Sequence, residues 1–102
     1  CGPCELEAAD LELVWREYKD RDTLFLGVDY VDTETEARAY LHKWNVTYPN
    51  GPDVRTVISQ AYRIQGVPET YIIARDGTVA ETIIGPVDYA KLTATLDRLL
   101  SQ

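Results

Sequence analysis

The tetrapeptide Cys1-Gly2-Pro3-Cys4 constrains this chain more than any other stretch. Two thiols three positions apart, at the mouth of a helix, can close into a disulfide. Helix amides and the helix dipole favour a thiolate there, so the first sulfur becomes a nucleophile below its free pKa of roughly 8.5. Pro3 suits a first turn, because the amide it lacks would go unpaired anyway. Leu11, Val14, Trp15 and Tyr18 recur at helical spacing behind Cys4 and Ala8. Glu5, Glu7, Asp10 and Glu12 crowd the early turns, where acids suit a helix N-terminus. The pattern predicts a helix from about Gly2 to about Tyr18, ended by the charged run Lys19-Asp20-Arg21-Asp22.

Two other uses of the cysteines are weaker. A structural zinc site takes four ligands, and this chain has two Cys and one His, His42. A purely structural disulfide closing so short a loop restrains the unfolded chain little. The spacing favours redox chemistry, with the disulfide as its own electron carrier and no metal or other cofactor.

At 102 residues the chain makes one domain with a modest core. Its net charge of −7 argues against nucleic acid or an anionic membrane as partner, although solubility alone accounts for such a charge. No apolar run approaches a membrane span. The chain has no Met and starts on a motif cysteine, so residues upstream of Cys1 are expected in the intact protein, and any targeting segment with them.

After the first helix, residues 23–29 form a short apolar run with β-forming side chains, read as a strand buried on both faces. Thr33 and Glu36 have capping-box spacing, and Ala37, Tyr40, Leu41 and Trp44 form a helical stripe. His42 lies off that stripe and reads as a solvated helix residue. Residues 45–52 carry Tyr48-Pro49-Asn50-Gly51-Pro52, read as a turn-rich breaker. Asp53 is placed to cap a short third helix with Val54, Val57, Ile58 and Ala61 inward. Residues 70–74 and 78–84 read as a hairpin about Asp76-Gly77. Asp88 caps a last helix whose stripe is Tyr89, Leu92, Leu96 and Leu99. The order is helix, strand, helix, helix, strand, strand, helix, an α/β pattern in which the CxxC opens the first helix.

On these residues the chain resembles the thioredoxin superfamily, and within it the TlpA/ResA/DsbE-type thiol-disulfide oxidoreductases. The resemblance rests on Cys1-Gly2-Pro3-Cys4 followed by Glu7, on Gly66-Val67-Pro68-Glu69-Thr70-Tyr71, on Arg75-Asp76-Gly77, and on the extra helix over residues 37–44. It implies a three-layer thioredoxin-like domain over residues 1–102, a central mixed sheet flanked by helices. It also implies that the chain is N-terminally truncated, because in that fold a central strand immediately precedes the CxxC. Without that strand, residues 23–29 and 70–74 would each face a gap, filled by upstream residues or by self-association. Ala9 stands where the family often has a proline.

The resemblance makes Cys1 the attacking thiol and Cys4 the resolving one. It makes Pro68 a cis-proline beside the dithiol, which frees the Val67 backbone to bind an extended substrate. On local grounds alone Pro68 reads as a trans proline starting a strand. The resemblance implies protein disulfides of an exported substrate, apocytochrome c among them, and an upstream dithiol donor. It implies an extracytoplasmic location, in the bacterial periplasm or on the outer face of the membrane. The Gly-Pro pair between the cysteines is that of thioredoxin, whose potential of roughly −270 mV favours reduction.

Glu7 has two readings. It falls on the Cys4–Leu11–Val14–Tyr18 face, where burial would raise its pKa and suit it to carry the Cys4 proton. As a first-turn acid it would instead lean out to solvent and answer the helix dipole. A thiol peroxidase and a binding module with an idle dithiol remain as competing functions.

Overall fold

The computed structural model describes residues 1–30 and 33–102. Helix α1 spans Gly2–Tyr18, as its stripe predicts. Val14 is wholly buried and Tyr18 nearly so. Strand β1 is Gly27–Asp29, and helix α2 is Glu34–Lys43. Thr33 caps α2 through its hydroxyl, which accepts the Glu36 amide at 3.1 Å. Strand β2 is Asn50–Pro52, followed by a 3₁₀ turn at Val54–Thr56 and helix α3 at Val57–Tyr62. Strands β3, Glu69–Ile73, and β4, Val79–Ile84, form the expected hairpin. Asp76 Oδ1 accepts the Thr78 amide at 3.0 Å, and Gly77 takes φ +90°, which only glycine adopts freely. Helix α4, Tyr89–Leu100, starts on the Asp88 carboxylate, which accepts the Lys91 amide at 2.8 Å.

The core lies between α1, α4 and one face of the strands. Val14 and Tyr18 meet Ile72, Val87, Leu92 and Leu96, with Leu11, Phe25, Ile83, Leu99 and Leu100 around them. Burying a side chain such as Val14 stabilises by about 1.5–3 kcal/mol. The Tyr18 hydroxyl donates to Asp97 Oδ1 at 2.5 Å, so the polar tip of a buried ring is satisfied across the α1–α4 seam. This packing holds the later turns of α1 and leaves Cys1, Gly2 and Pro3 exposed at its free end.

The strands form two separate pairs among the described residues. β1 runs parallel to β2, with Gly27 opposite Asn50, and β3 runs antiparallel to β4. β1 and β3 therefore each hydrogen-bond one neighbour among the described residues.

Three expectations need correction. Residues 23–29 are not buried on both faces: Leu24, Leu26 and Val28 are 67%, 69% and 47% exposed, because α1 covers only the Phe25 side, where Trp15 lies 5.5 Å from the Phe25 ring. The breaker at 48–52 contains strand β2. Its prolines are tolerated because Pro49 offers only its carbonyl, to the Gly27 amide at 2.9 Å, and Pro52 ends the ladder. Val54, Val57, Ile58 and Ala61 do not point inward; all four are exposed. Arg55 and Thr56 take left-handed φ of +57° and +56°, which turns the chain before α3. Asp53 still caps that helix, but one turn later, accepting the Ile58 and Ser59 amides at 2.8 Å each and the Ser59 hydroxyl.

Candidate active site

Cys1 and Cys4 are joined in a disulfide with Cα atoms 5.3 Å apart. Cys1 is exposed and Cys4 half-buried. Cys1 is also the N-cap of α1: its sulfur accepts the Cys4 amide at 3.1 Å. An amide donor aimed at sulfur, at a helix N-terminus, is the arrangement that favours a thiolate once the disulfide is reduced.

Glu7 is buried, at 6% exposed, so the solvent-facing reading of it fails. Its Oε2 accepts the Val87 amide at 3.0 Å. Desolvation pushes its carboxyl above the usual 4.5, and the single amide donor only partly offsets this. The charge of Glu7 in turn bears on two phenols, Tyr40 and Tyr48, both held above their ordinary pKa, chiefly by burial.

Helix α2 closes over the first turn of α1. The Tyr40 hydroxyl donates to the Cys4 carbonyl at 3.1 Å, and Lys43 Nζ pairs with Glu5 Oε1 at 2.9 Å. The spacing of α2 gave Tyr40 only as part of an apolar stripe. The available signal was a polar tip on that stripe, since a half-buried tyrosine hydroxyl takes a partner. His42 is exposed, as read.

The Val67–Pro68 peptide is cis. Pro68 is buried while Val67 is 45% exposed. The Pro68 carbonyl accepts the Gly85 amide at 3.0 Å, which ties this bend to the end of β4. Glu69 fixes the loop before it: Oε2 accepts the Gln65 and Gly66 amides at 2.7 and 3.1 Å, and Oε1 accepts the Tyr71 hydroxyl at 2.6 Å. The geometry thus joins Cys1, Cys4, Glu5, Tyr40 and Lys43 at one helix end, with Glu7 buried a turn behind. Val67 and Pro68 are placed by the hairpin.

Glu12 is the other buried acid of α1, and the sequence reading missed its role. It accepts the Thr47 amide at 2.7 Å, the Thr47 hydroxyl at 2.5 Å and Arg16 Nε at 2.6 Å. It anchors the chain between α2 and β2 instead of answering the helix dipole.

Residues 1–82 match the AhpC/TSA family. Over 99 residues the chain is 26% identical to the thiol-disulfide oxidoreductase ResA of Bacillus cereus, covering 97% of this chain and 57% of that protein. Over 102 residues it is 28% identical to the thiol:disulfide interchange protein HelX of Rhodobacter capsulatus, covering 99% and 56%. The chain therefore spans a little over half the length of these relatives. A thioredoxin-family thiol:disulfide interchange protein from Chlorobium tepidum superposes with a TM-score of 0.89 at 24% identity, over 98% of this chain and 72% of that one. A secreted Mycobacterium tuberculosis disulfide oxidoreductase superposes at 0.87 with 20% identity, over 97% and 74%. The fold is thioredoxin-like.

Proposed function

This chain belongs to the AhpC/TSA family, and from its likeness to ResA and HelX we propose that it is a thiol-disulfide oxidoreductase that reduces protein disulfides through Cys1 and Cys4. The observation that carries the reading is the exposed Cys1 sulfur under the Cys4 amide, with Cys4 half-buried behind it.

In the reduced form the Cys1 thiolate attacks one sulfur of a substrate disulfide. A mixed disulfide forms, and the displaced substrate thiolate takes a proton from water. Cys4 then gives its proton to the Glu7 carboxylate and attacks Cys1 Sγ. The Cys1–Cys4 disulfide closes, and the second substrate thiolate leaves and is protonated. Two electrons pass to the substrate, and an upstream dithiol donor restores the pair by the same exchange in reverse. The disulfide carries the electrons without a further cofactor. Val67, exposed beside the buried Pro68, offers its backbone to an extended stretch of substrate.

The substrate is an exported protein, and the site of action is extracytoplasmic: the periplasm or the outer face of a bacterial membrane. The naming of ResA and HelX as thiol-disulfide proteins supports the exchange chemistry on which this reading rests. The open edges of β1 and β3 accept one further strand, from a longer chain or from a second copy.

Insulin reduction driven by dithiothreitol tests the activity. Turnover that disappears in Cys1→Ser is the expected result. A folded chain without turnover would make this a binding module, and consumption of peroxide in its place would make it a peroxidase.

A further inference from the structure

The Cys4 backbone is held on both sides of its Cα. Its N–H donates to Cys1 Sγ at 3.1 Å, and its carbonyl accepts the Tyr40 hydroxyl at 3.1 Å from 36 residues away in the chain. The first contact bears on reactivity, since an amide on sulfur stabilises the thiolate more than the thiol. The second bears on whether that amide stays aimed. A helix's first turn has few bonds of its own and depends on its cap. Here the cap is the reactive sulfur itself. The turn is held from outside α1 as well. The contacts that do so come from α2: Tyr40 on the Cys4 carbonyl and Lys43 on Glu5.

We propose that Tyr40 is a positioning residue for the dithiol: by anchoring the Cys4 carbonyl it keeps the Cys4 amide on Cys1 Sγ and so favours the Cys1 thiolate. The inference rests on the redox reading of Cys1 and Cys4. Burial first, and then the charges of Glu7 and Glu5, hold the Tyr40 phenol above its ordinary pKa, so it remains a donor wherever the thiols titrate. The charged groups around this turn are the Cys1 amino group, Glu5 and Glu7 at the start of α1 and Lys43 on α2. Lys43 acts by charge, and added salt screens that contribution. The Tyr40 hydrogen bond is short-range and persists in salt.

The test compares the reduced wild-type chain with Tyr40→Phe and Lys43→Ala. The readouts are the iodoacetamide alkylation rate of Cys1 against pH, the dithiol–disulfide equilibrium with dithiothreitol, the urea midpoint and insulin turnover. Tyr40→Phe keeps the ring and removes only the hydroxyl. It should slow Cys1 alkylation below neutral pH by roughly three- to tenfold, the range one hydrogen bond contributes. The plateau rate at high pH should not change. The equilibrium should move toward the disulfide by a similar factor, because the reduced form loses thiolate stabilisation. The effect should survive salt, and any effect of Lys43→Ala should fade with it. An unchanged pH profile and equilibrium in Tyr40→Phe would overturn the proposal, whether or not its urea midpoint falls. A profile that shifts in Tyr40→Phe while the wild type fails to reduce insulin would overturn the oxidoreductase reading and leave Tyr40's role standing. Insulin turnover with an unmoved profile would do the reverse.

Discussion

The Glu7 carboxylate accepts the Val87 amide at 3.0 Å, across the seam between α1 and the turn that enters α4. That bond places an acid at 6% exposure, one helical turn behind Cys4. An ionised carboxylate there is only partly compensated, and desolvation raises its pKa above the usual 4.5.

The sign of that shift sets the first prediction. The stability that protonated Glu7 supplies is fully present below the unfolded value of 4.5 and is lost as pH rises through the raised folded value. At neutral pH the ionised residue is a liability. Glu7→Gln should therefore have a higher urea midpoint than the wild type at pH 7, with the advantage shrinking toward pH 4. The same variant should slow resolution of the mixed disulfide by two orders of magnitude or more, roughly the reach of general base catalysis. Quenched-flow trapping measures the rate, and unchanged resolution kinetics would remove Glu7 from proton transfer.

Exposure separates the two thiols. Cys1 should react with iodoacetamide at neutral pH well before Cys4, which lies half-buried against α2. Cys4→Ser should accumulate mixed disulfides with substrate, and Cys1→Ser should accumulate none. Peptide mapping after a short alkylation pulse decides the order, and faster labelling of Cys4 would reverse the assignment.

Glu12 predicts the opposite pH behaviour from Glu7. Burial pushes its carboxyl up, but the Thr47 hydroxyl and amide and the Arg16 guanidinium outweigh burial and hold it below its ordinary value. Its contribution is present above the unfolded value of 4.5 and is lost as pH falls through the lowered folded value. Glu12→Ala removes the acceptor of the Thr47 amide and hydroxyl; Thr47 is exposed, so water replaces that acceptor and the loss is about 0.5–1.5 kcal/mol per hydrogen bond. Urea denaturation at pH 7 should show that loss, and a pH 3 titration should show it diminished.

Glu69 holds the loop that leads into the cis bond. Glu69→Ala should speed hydrogen exchange at the Gln65 and Gly66 amides, which it accepts at 2.7 and 3.1 Å, and raise KM for a protein disulfide more than it lowers kcat. An unaltered KM with faster exchange would separate the loop from substrate binding.

The divided sheet predicts association. Residues 1–102 alone should sediment as a dimer or larger, because the open edges of β1 and β3 and the exposed Leu24, Leu26 and Val28 offer a second copy strand edges and apolar surface to cover. A chain extended upstream of Cys1 by a β-forming segment should sediment as a monomer. A stable, cooperative monomer of the shorter chain would show that the open edges of β1 and β3 need no strand.

The sequence by itself determined what depends on neighbours a few positions away. The bounds of α1, the Thr33 and Asp88 caps, the Asp76-Gly77 turn and the pairing of Cys1 with Cys4 are all settled within one or two turns of chain. Helical spacing likewise put Glu7 on the inner face of α1. Tertiary structure decided the rest. Strand β2 exists because Asn50 comes opposite Gly27, a pairing that Pro49 before it and Pro52 at its end disguise. Leu24, Leu26, Val57 and Ile58 are exposed because no element among the described residues covers them, which a stripe or run of apolar side chains does not reveal. Glu12 became an anchor only when Thr47 arrived 35 residues later, and Tyr40 reached the Cys4 carbonyl only when α2 lay over α1. Hydrogen bonds and burial are made with whatever packs alongside, and local pattern carries no record of distant partners.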